Sequence, residues 1–162
     1  MSKYDQIQAL IRTMSDANHE EDSEIKWFLK HATLPSTVDI IKNAKNFTHS
    51  ELEILSTLAQ SADPITFKAL QATSALSQGM LSRYINRLQK QQLLEKFHAA
   101  TNKKEVWLKL SATGREIGAL HLELHAQMHK DFEQVLSHYS DADIDLVIKF
   151  AQDVFTTRKN IQ

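Results

Sequence analysis

Apolar residues recur three or four positions apart along most of this chain and alternate in only one short stretch, a pattern of helices interrupted by a single hairpin. Ile7, Leu10, Ile11 and Met14, an acidic interval with Asp16, Glu20, Glu21, Asp22 and Glu24, then Ile25, Phe28 and Leu29 predict one long helix or two short ones over residues 3–32. Pro35 breaks the pattern, and Ser36 or Thr37 is placed to cap a short helix through Val38, Ile40 and Ile41 to Lys45. Thr48 and Glu51 make a capping box ahead of Leu52, Leu55, Leu58 and Ala59, and Asp63-Pro64 closes that helix. Thr66 caps the next, with Phe67 and Leu70 inward, and Ser74 to Leu76 turn the chain into Ser77.

Ser77 caps a helix whose apolar face is Leu81, Ile85 and Leu88. Leu93 to His98 then run into a basic tip with Asn102, Lys103 and Lys104. From Glu105 to Leu110 the residues Val106, Leu108 and Leu110 alternate with Trp107 and Lys109, as in a half-buried strand. Beyond the hairpin, Ser111 caps a helix striped by Ile117, Leu120, Leu124, Met128, Phe132, Val135 and Leu136. Ser140 with Asp143 opens a last helix bearing Ile144, Val147, Ile148, Ala151, Val154 and Phe155.

Short helices followed at once by a basic hairpin make a winged helix-turn-helix, with the helix in one groove of a duplex and the wing over its neighbour. The expected fold is therefore mainly α with a small β-hairpin wing. The DNA-binding lobe is 47–110, and 1–46 with 111–162 form a helical dimerisation region. The long terminal helices have no partner within so small a lobe, which implies a homodimer. Two-fold symmetry would set two recognition helices about 34 Å apart on a palindromic site in double-stranded DNA.

On the helix opened by Ser77, the residues Gln78, Ser82, Arg83, Asn86 and Arg87 point away from the apolar face. These side-chain types hydrogen-bond base edges and phosphates. Gly79 lets the backbone approach a sugar-phosphate chain closely. Alone, such a face also fits an ordinary solvated helix; charge changes the picture. Residues 77–109 hold seven Lys/Arg against Glu95 and Glu105, a balance of +5 in a chain of net charge −1, so the remainder carries −6. Phosphate attraction is concentrated on this segment and should weaken steeply with salt.

The remaining composition mostly excludes. At 162 residues and 42% hydrophobic the chain is one domain by size, and three Gly with two Pro favour long helices. The absence of Cys removes disulfides, thiolate metal sites and a Cys nucleophile. No apolar run is long enough to span a bilayer, and MSKYDQ has no signal-peptide core, so a cytoplasmic protein without a membrane partner is the expectation. No Ser/His/Asp set or carboxylate pair stands at catalytic spacing. In His121-Leu-Glu-Leu-His125, Glu123 is misplaced by one position for a metalloprotease helix. An enzyme is not expected.

From Phe47 to Phe155 the chain resembles the multiple antibiotic resistance regulator (MarR) family. FTHSELEIL is similar to the opening of the family's second helix, LSQGMLSRYINRLQKQQLL to its recognition helix, and NKKEVWLKLSATG to its wing strand and following turn. The resemblance implies dimeric winged-helix transcriptional regulators, usually repressors, often released from DNA by a small-molecule effector. It puts Ser77, Gln78, Ser82 and Arg83 on bases, Arg87 on phosphate, and Lys103 and Lys104 at wing positions usually held by Arg. Asn102 replaces the usual wing Asp, so the Asp-Arg bracing is lost. Gln91-Gln92 replaces a pair ending in Gly, so a tight turn is expected to be lost too. The link from Leu34 to Asn46 is longer than usual.

His121, His125 and His129 share one helix face, and such a face can chelate a transition metal. Zinc-sensing members of the resembled family use a His pair at the positions of His121 and His125. Their further Glu-His pair falls on Leu52 and Glu53 here, so the expectation is no metal cofactor, with zinc as the alternative and a polar helix seam as the simpler account. Trp27, Phe28 and His31 stand where the resemblance puts an effector-pocket wall, although aromatics at this spacing are more often core. Trp107 carries no expected ligand role.

Overall fold

The computed structural model describes residues 2, 5–7, 20–43, 47–61, 64–100 and 102–159. Its contacts divide the chain into two compact units, 1–124 and 125–162, and the expected lobe 47–110 lies wholly inside the first. The elements in order are α1 (Glu20–His31), α2 (Pro35–Asn43), α3 (His49–Gln60), β1 (Ile65–Thr66), α4 (Phe67–Thr73), α5 (Gln78–Lys90), β2 (Leu94–Ala99), β3 (Asn102–Leu110), α6 (Ala112–Leu136) and α7 (Asp141–Lys159). The mainly helical fold with a β wing is as expected.

Local capping sets most helix starts. At α3 the Thr48 side chain accepts from the Glu51 amide and the Glu51 carboxylate accepts from the Thr48 amide, the reciprocal capping box. Thr66 caps α4 through the Ala69 amide, Ser77 caps α5 through the Met80 amide, and Ser111 caps α6 through the Gly114 amide. Ser140 and Asp143 cap α7 reciprocally.

Three expectations need correction. Pro35 opens α2 instead of breaking the pattern, as its fixed φ and missing N–H suit the first helical position. Neither Ser36 nor Thr37 is the cap: Ser36 shares a 2.7 Å hydrogen bond with Thr113, and Thr37 is buried in the helix. The orphan amides before α2 turn instead to Glu116 of α6, which accepts from Thr33 N at 2.7 Å and Leu34 N at 3.2 Å. Burial is the largest single influence on the Glu116 carboxyl and raises its pKa. The hydrogen bonds from the Thr33 hydroxyl and the Thr33 and Leu34 amides outweigh it, leaving the group below its ordinary value. The expected helix end at Lys45 and most of the expected first helix, with Leu10, Ile11 and Met14, lie outside the described residues.

Second, the turn after α5 is kept without glycine. Gln92 itself takes φ 58, and the Leu93 amide reaches the Leu88 carbonyl at 3.0 Å while the Gln92 amide reaches that of Gln89 at 3.0 Å. This is a Schellman closure, with Leu93 and Leu88 buried as its apolar pair. Third, the hairpin is part of a three-stranded antiparallel sheet of order β1-β3-β2, in which Ile65 pairs with Leu108 and Thr66 with Trp107. The wing proper pairs Leu94 with Leu110 through Phe97 with Trp107 to His98 with Val106, and an irregularity at His98/Ala99 precedes the tip.

The core of the first unit joins every layer: Phe28 of α1, Leu55 and Leu58 of α3, Leu70 of α4, Leu81, Ile85 and Leu88 of α5, Leu108 of β3 and Ile117 of α6 are all buried. In the second unit Leu136, Ile144, Ala151 and Val154 are half-buried, and other large apolar residues lie outside. Met128, Phe132 and Val135 of α6 are exposed, as are Leu146, Val147, Ile148 and Phe150 of α7.

Candidate DNA-binding surface and metal centre

Burying Leu81, Ile85 and Leu88 fixes the rotation of α5 and turns its polar face to solvent. Gln78, Gly79, Arg83, Asn86 and Arg87 are exposed there, and Ser82 is half-buried. The Ser77 hydroxyl is engaged as the cap. Arg83 lies over the Tyr84 ring at 5.8 Å, a cation–π contact that limits its rotamers. Asn86 and Arg87 carry additional internal contacts. The Asn86 carbonyl accepts from Lys96 Nζ of β2 at 2.5 Å, and Arg87 Nε lies 3.1 Å from Oε1 of the buried Glu51.

Lys103 and Lys104 are exposed at the start of β3, next to the tip. Asn102 supplies some bracing in place of the missing Asp, since its Oδ1 accepts from the Lys104 amide at 3.1 Å. A surface cleft between α4, the start of α5 and the wing is lined by Lys68, Gln78 and Lys104. Lys68 is a cation that sequence reading passed over; its one signal was an exposed Lys in the first turn of the helix preceding the recognition helix.

A second constellation lies at the start of α3. His49, the first residue of that helix, meets His121 and His125 of α6, and the ligand atoms of all three lie within 4.8 Å of one another. His121 and His125 stand one turn apart on a single continuous helix. The His49 and His121 rings meet edge to face at 5.8 Å, and Glu24 of α1 places Oε1 4.0 Å from His121 Nε2. His121 is itself buried, with Nδ1 2.7 Å from Ser56 Oγ. The Ser56 hydroxyl reaches the Leu52 carbonyl at 2.7 Å and the Gly118 carbonyl at 3.4 Å, and with its proton on either carbonyl its oxygen accepts from His121 Nδ1–H. In that arrangement Nδ1 carries the proton and Nε2 is the ring nitrogen turned toward Glu24.

Three imidazoles and a carboxylate are a donor set suited to tetrahedral zinc, whose Zn–N bonds of about 2.0 Å put neighbouring donors roughly 3.3 Å apart. The ring nitrogens of the three histidines, within 4.8 Å of one another, stand near that spacing. The residues therefore fit such an ion. They also differ from the expected set: Leu52 is buried in the core and Glu53 lies exposed, so His49 takes the place that the resemblance had put there. His49 and Glu24 were the missed residues, and the signal for His49 lay inside FTHSELEIL. His129 is outside the cluster, exposed and 3.7 Å from Glu133. Of the expected effector wall, Phe28 is core, while Trp27 and His31 stack on each other at 4.0 Å.

Residues 47–106, which span α3 to the middle of β3, match the MarR family. Over that segment the chain is similar to the MarR family. A curated relative is the HTH-type transcriptional regulator PchR of Bacillus subtilis, 24% identical over 147 residues, 91% of this chain and 83% of PchR. Among solved structures, a double mutant of Lactococcus lactis ZitR superposes with TM-score 0.71 at 17% identity, covering 100% of this chain and 99% of that one. ZitR is described as a zinc-responsive MarR family member. Streptococcus pneumoniae FabT in complex with DNA superposes with TM-score 0.54 at 17% identity, covering 99% and 100%. Transcriptional regulation is thus the role of the family and its curated relative, and no helix among the described residues is long and apolar enough to cross a membrane.

Proposed function

We propose that this MarR-family regulator is a homodimeric repressor that binds a palindromic operator in double-stranded DNA, and that its affinity is set by a transition ion of the zinc class. The observation that carries the metal reading is the meeting of His49, His121 and His125 beside Glu24. The exposed +5 segment and the solved complex of FabT with DNA support DNA contact by α5 and the wing. Arg83, Gln78 and Ser82 would read base edges, and Lys103, Lys104 and Lys68 would hold phosphates. The exposed apolar residues of α6 and α7 support pairing with a second copy.

A bound ion would tie α1, α3 and α6 at one point through Glu24, His49, His121 and His125. His49 belongs to α3, which shares the core with α5, so a change in its position would bear on the reading surface. His121 is held ready by Ser56, and Glu24 brings α1 to the same point. A small-molecule effector at Trp27 and His31 ranks behind this reading because Phe28 is closed into the core and the other two rings cover each other.

Two titrations test the proposal. Calorimetry with zinc should show binding by the wild type that is lost in His49→Ala and in His121→Ala. Binding to a duplex selected from a random pool should change by about fivefold or more when zinc is added, the lower end of ordinary allosteric coupling. Zinc binding that survives both substitutions, or operator affinity indifferent to zinc, overturns the metal reading. Failure to select any inverted repeat overturns the DNA reading.

A further inference from the structure

Glu51 is fully buried, yet it lies against the surface that faces DNA. Its Oε2 is committed to the capping box, accepting from the Thr48 amide at 2.8 Å and the Thr48 hydroxyl at 3.0 Å. Among the described residues no hydrogen bond reaches Oε1, and its charged neighbour is Arg87 Nε at 3.1 Å. Arg87 comes from α5, 36 positions along the chain, and its side chain remains 46% exposed. A guanidinium has five N–H groups on two usable edges. With Nε engaged by Glu51 and the side chain 46% exposed, the terminal nitrogens are the donors left for a partner outside the fold.

We infer that Glu51 is a positioning residue for DNA binding: from inside the fold it holds Arg87 so that the outer guanidinium edge meets a backbone phosphate. The inference rests on the DNA-binding reading above. An unheld arginine pays rotamer entropy on binding, whereas one anchored through Nε presents its remaining donors in a fixed direction. The anchor also ties the start of α3 to the last turns of α5, so the recognition helix and its phosphate contact share one register.

Electrostatics alone predicts the opposite sign. A carboxylate near a polyanion repels it, so Glu51→Gln should tighten DNA binding if Glu51 serves only to cap α3. Gln is itself a capping-box residue, and the variant keeps that role. Anisotropy titrations of full-length protein against its selected duplex, over a series of salt concentrations, separate the two. The expected result is that Glu51→Gln weakens binding about tenfold, and that adding it to Arg87→Gln changes affinity less than about twofold, as for residues acting as one unit. Arg87→Lys, which keeps a cation but not the second edge, should also lose about tenfold. Equal or tighter binding by Glu51→Gln, multiplicative losses in the double variant, or wild-type affinity in Arg87→Lys each overturns the inference. A wild type that selects a duplex while Glu51→Gln binds it equally well sinks this inference alone; a wild type that selects none sinks the DNA reading with it.

Discussion

Gly118 of α6 lies so close to Leu55 of α3 that a β-carbon on it would stand 2.4 Å from the Leu55 carbonyl oxygen. The approach has a consequence one residue on, where Ser56 meets His121. Gly118→Ala must push the two helices apart, because the obstructing atom is backbone. It should cost about 1–3 kcal/mol, the usual range for overpacking, and weaken zinc binding along with stability. Thermal melting with calorimetry checks both, and a full-strength metal site in a destabilised Gly118→Ala would refute the link.

Ser56→Ala isolates the hydrogen bond from the packing. The hydroxyl lies 2.7 Å from His121 Nδ1, behind the ring nitrogen that would take the proposed ion. Loss of such a partner typically lowers metal affinity about 10- to 100-fold. The expected outcome is that loss with DNA binding of the metal-free protein unchanged, read by zinc competition against a chromogenic chelator.

Gln92→Gly should stabilise the protein. A left-handed φ costs an L-residue about 1 kcal/mol and costs glycine little, and here the strain is at a turn already closed by the Leu93 and Gln92 amides. A rise in melting temperature of about 2–4 °C is expected for a chain of this size. No rise would mean that the Gln92 side chain contributes something its exposed position does not reveal.

Acid should loosen the α1–α2 corner first. The Glu116 carboxyl has its pKa lowered in the fold, so its contribution is fully present above the ordinary carboxylate pKa of about 4.3 and is lost as pH falls through the lower folded value. Glu116→Gln removes this part of the pH dependence. Unfolding free energy measured from pH 7 down to pH 3 should fall less in the variant than in the wild type, and parallel curves would exclude the assignment.

What was legible beforehand was local. Thr48 with Glu51, and Ser140 with Asp143, announce their helices because a capping box is decided within four residues. The alternation of Val106, Leu108 and Leu110 marks β3 for the same reason. β1 escaped notice because Ile65–Thr66 is too short to show a period and is a strand only by pairing with β3. His49 escaped because nothing near it in sequence is a ligand: its partners lie at 121 and 125, and only the packing of α6 on α3 joins them. Arg87 could be placed on the polar face of α5 from spacing, but its ion pair with Glu51 depends on how two helices meet. Pro35 was misread because a helix breaker and a helix opener look alike until the preceding amides find their acceptor, here Glu116.

The exposed Phe132 and Leu146, at 63% and 67%, make folding and pairing one equilibrium for a homodimer built on that face. Its melting temperature then rises with protein concentration, and at low copy number the free chain shows water an oily flank that proteases and chaperones recognise.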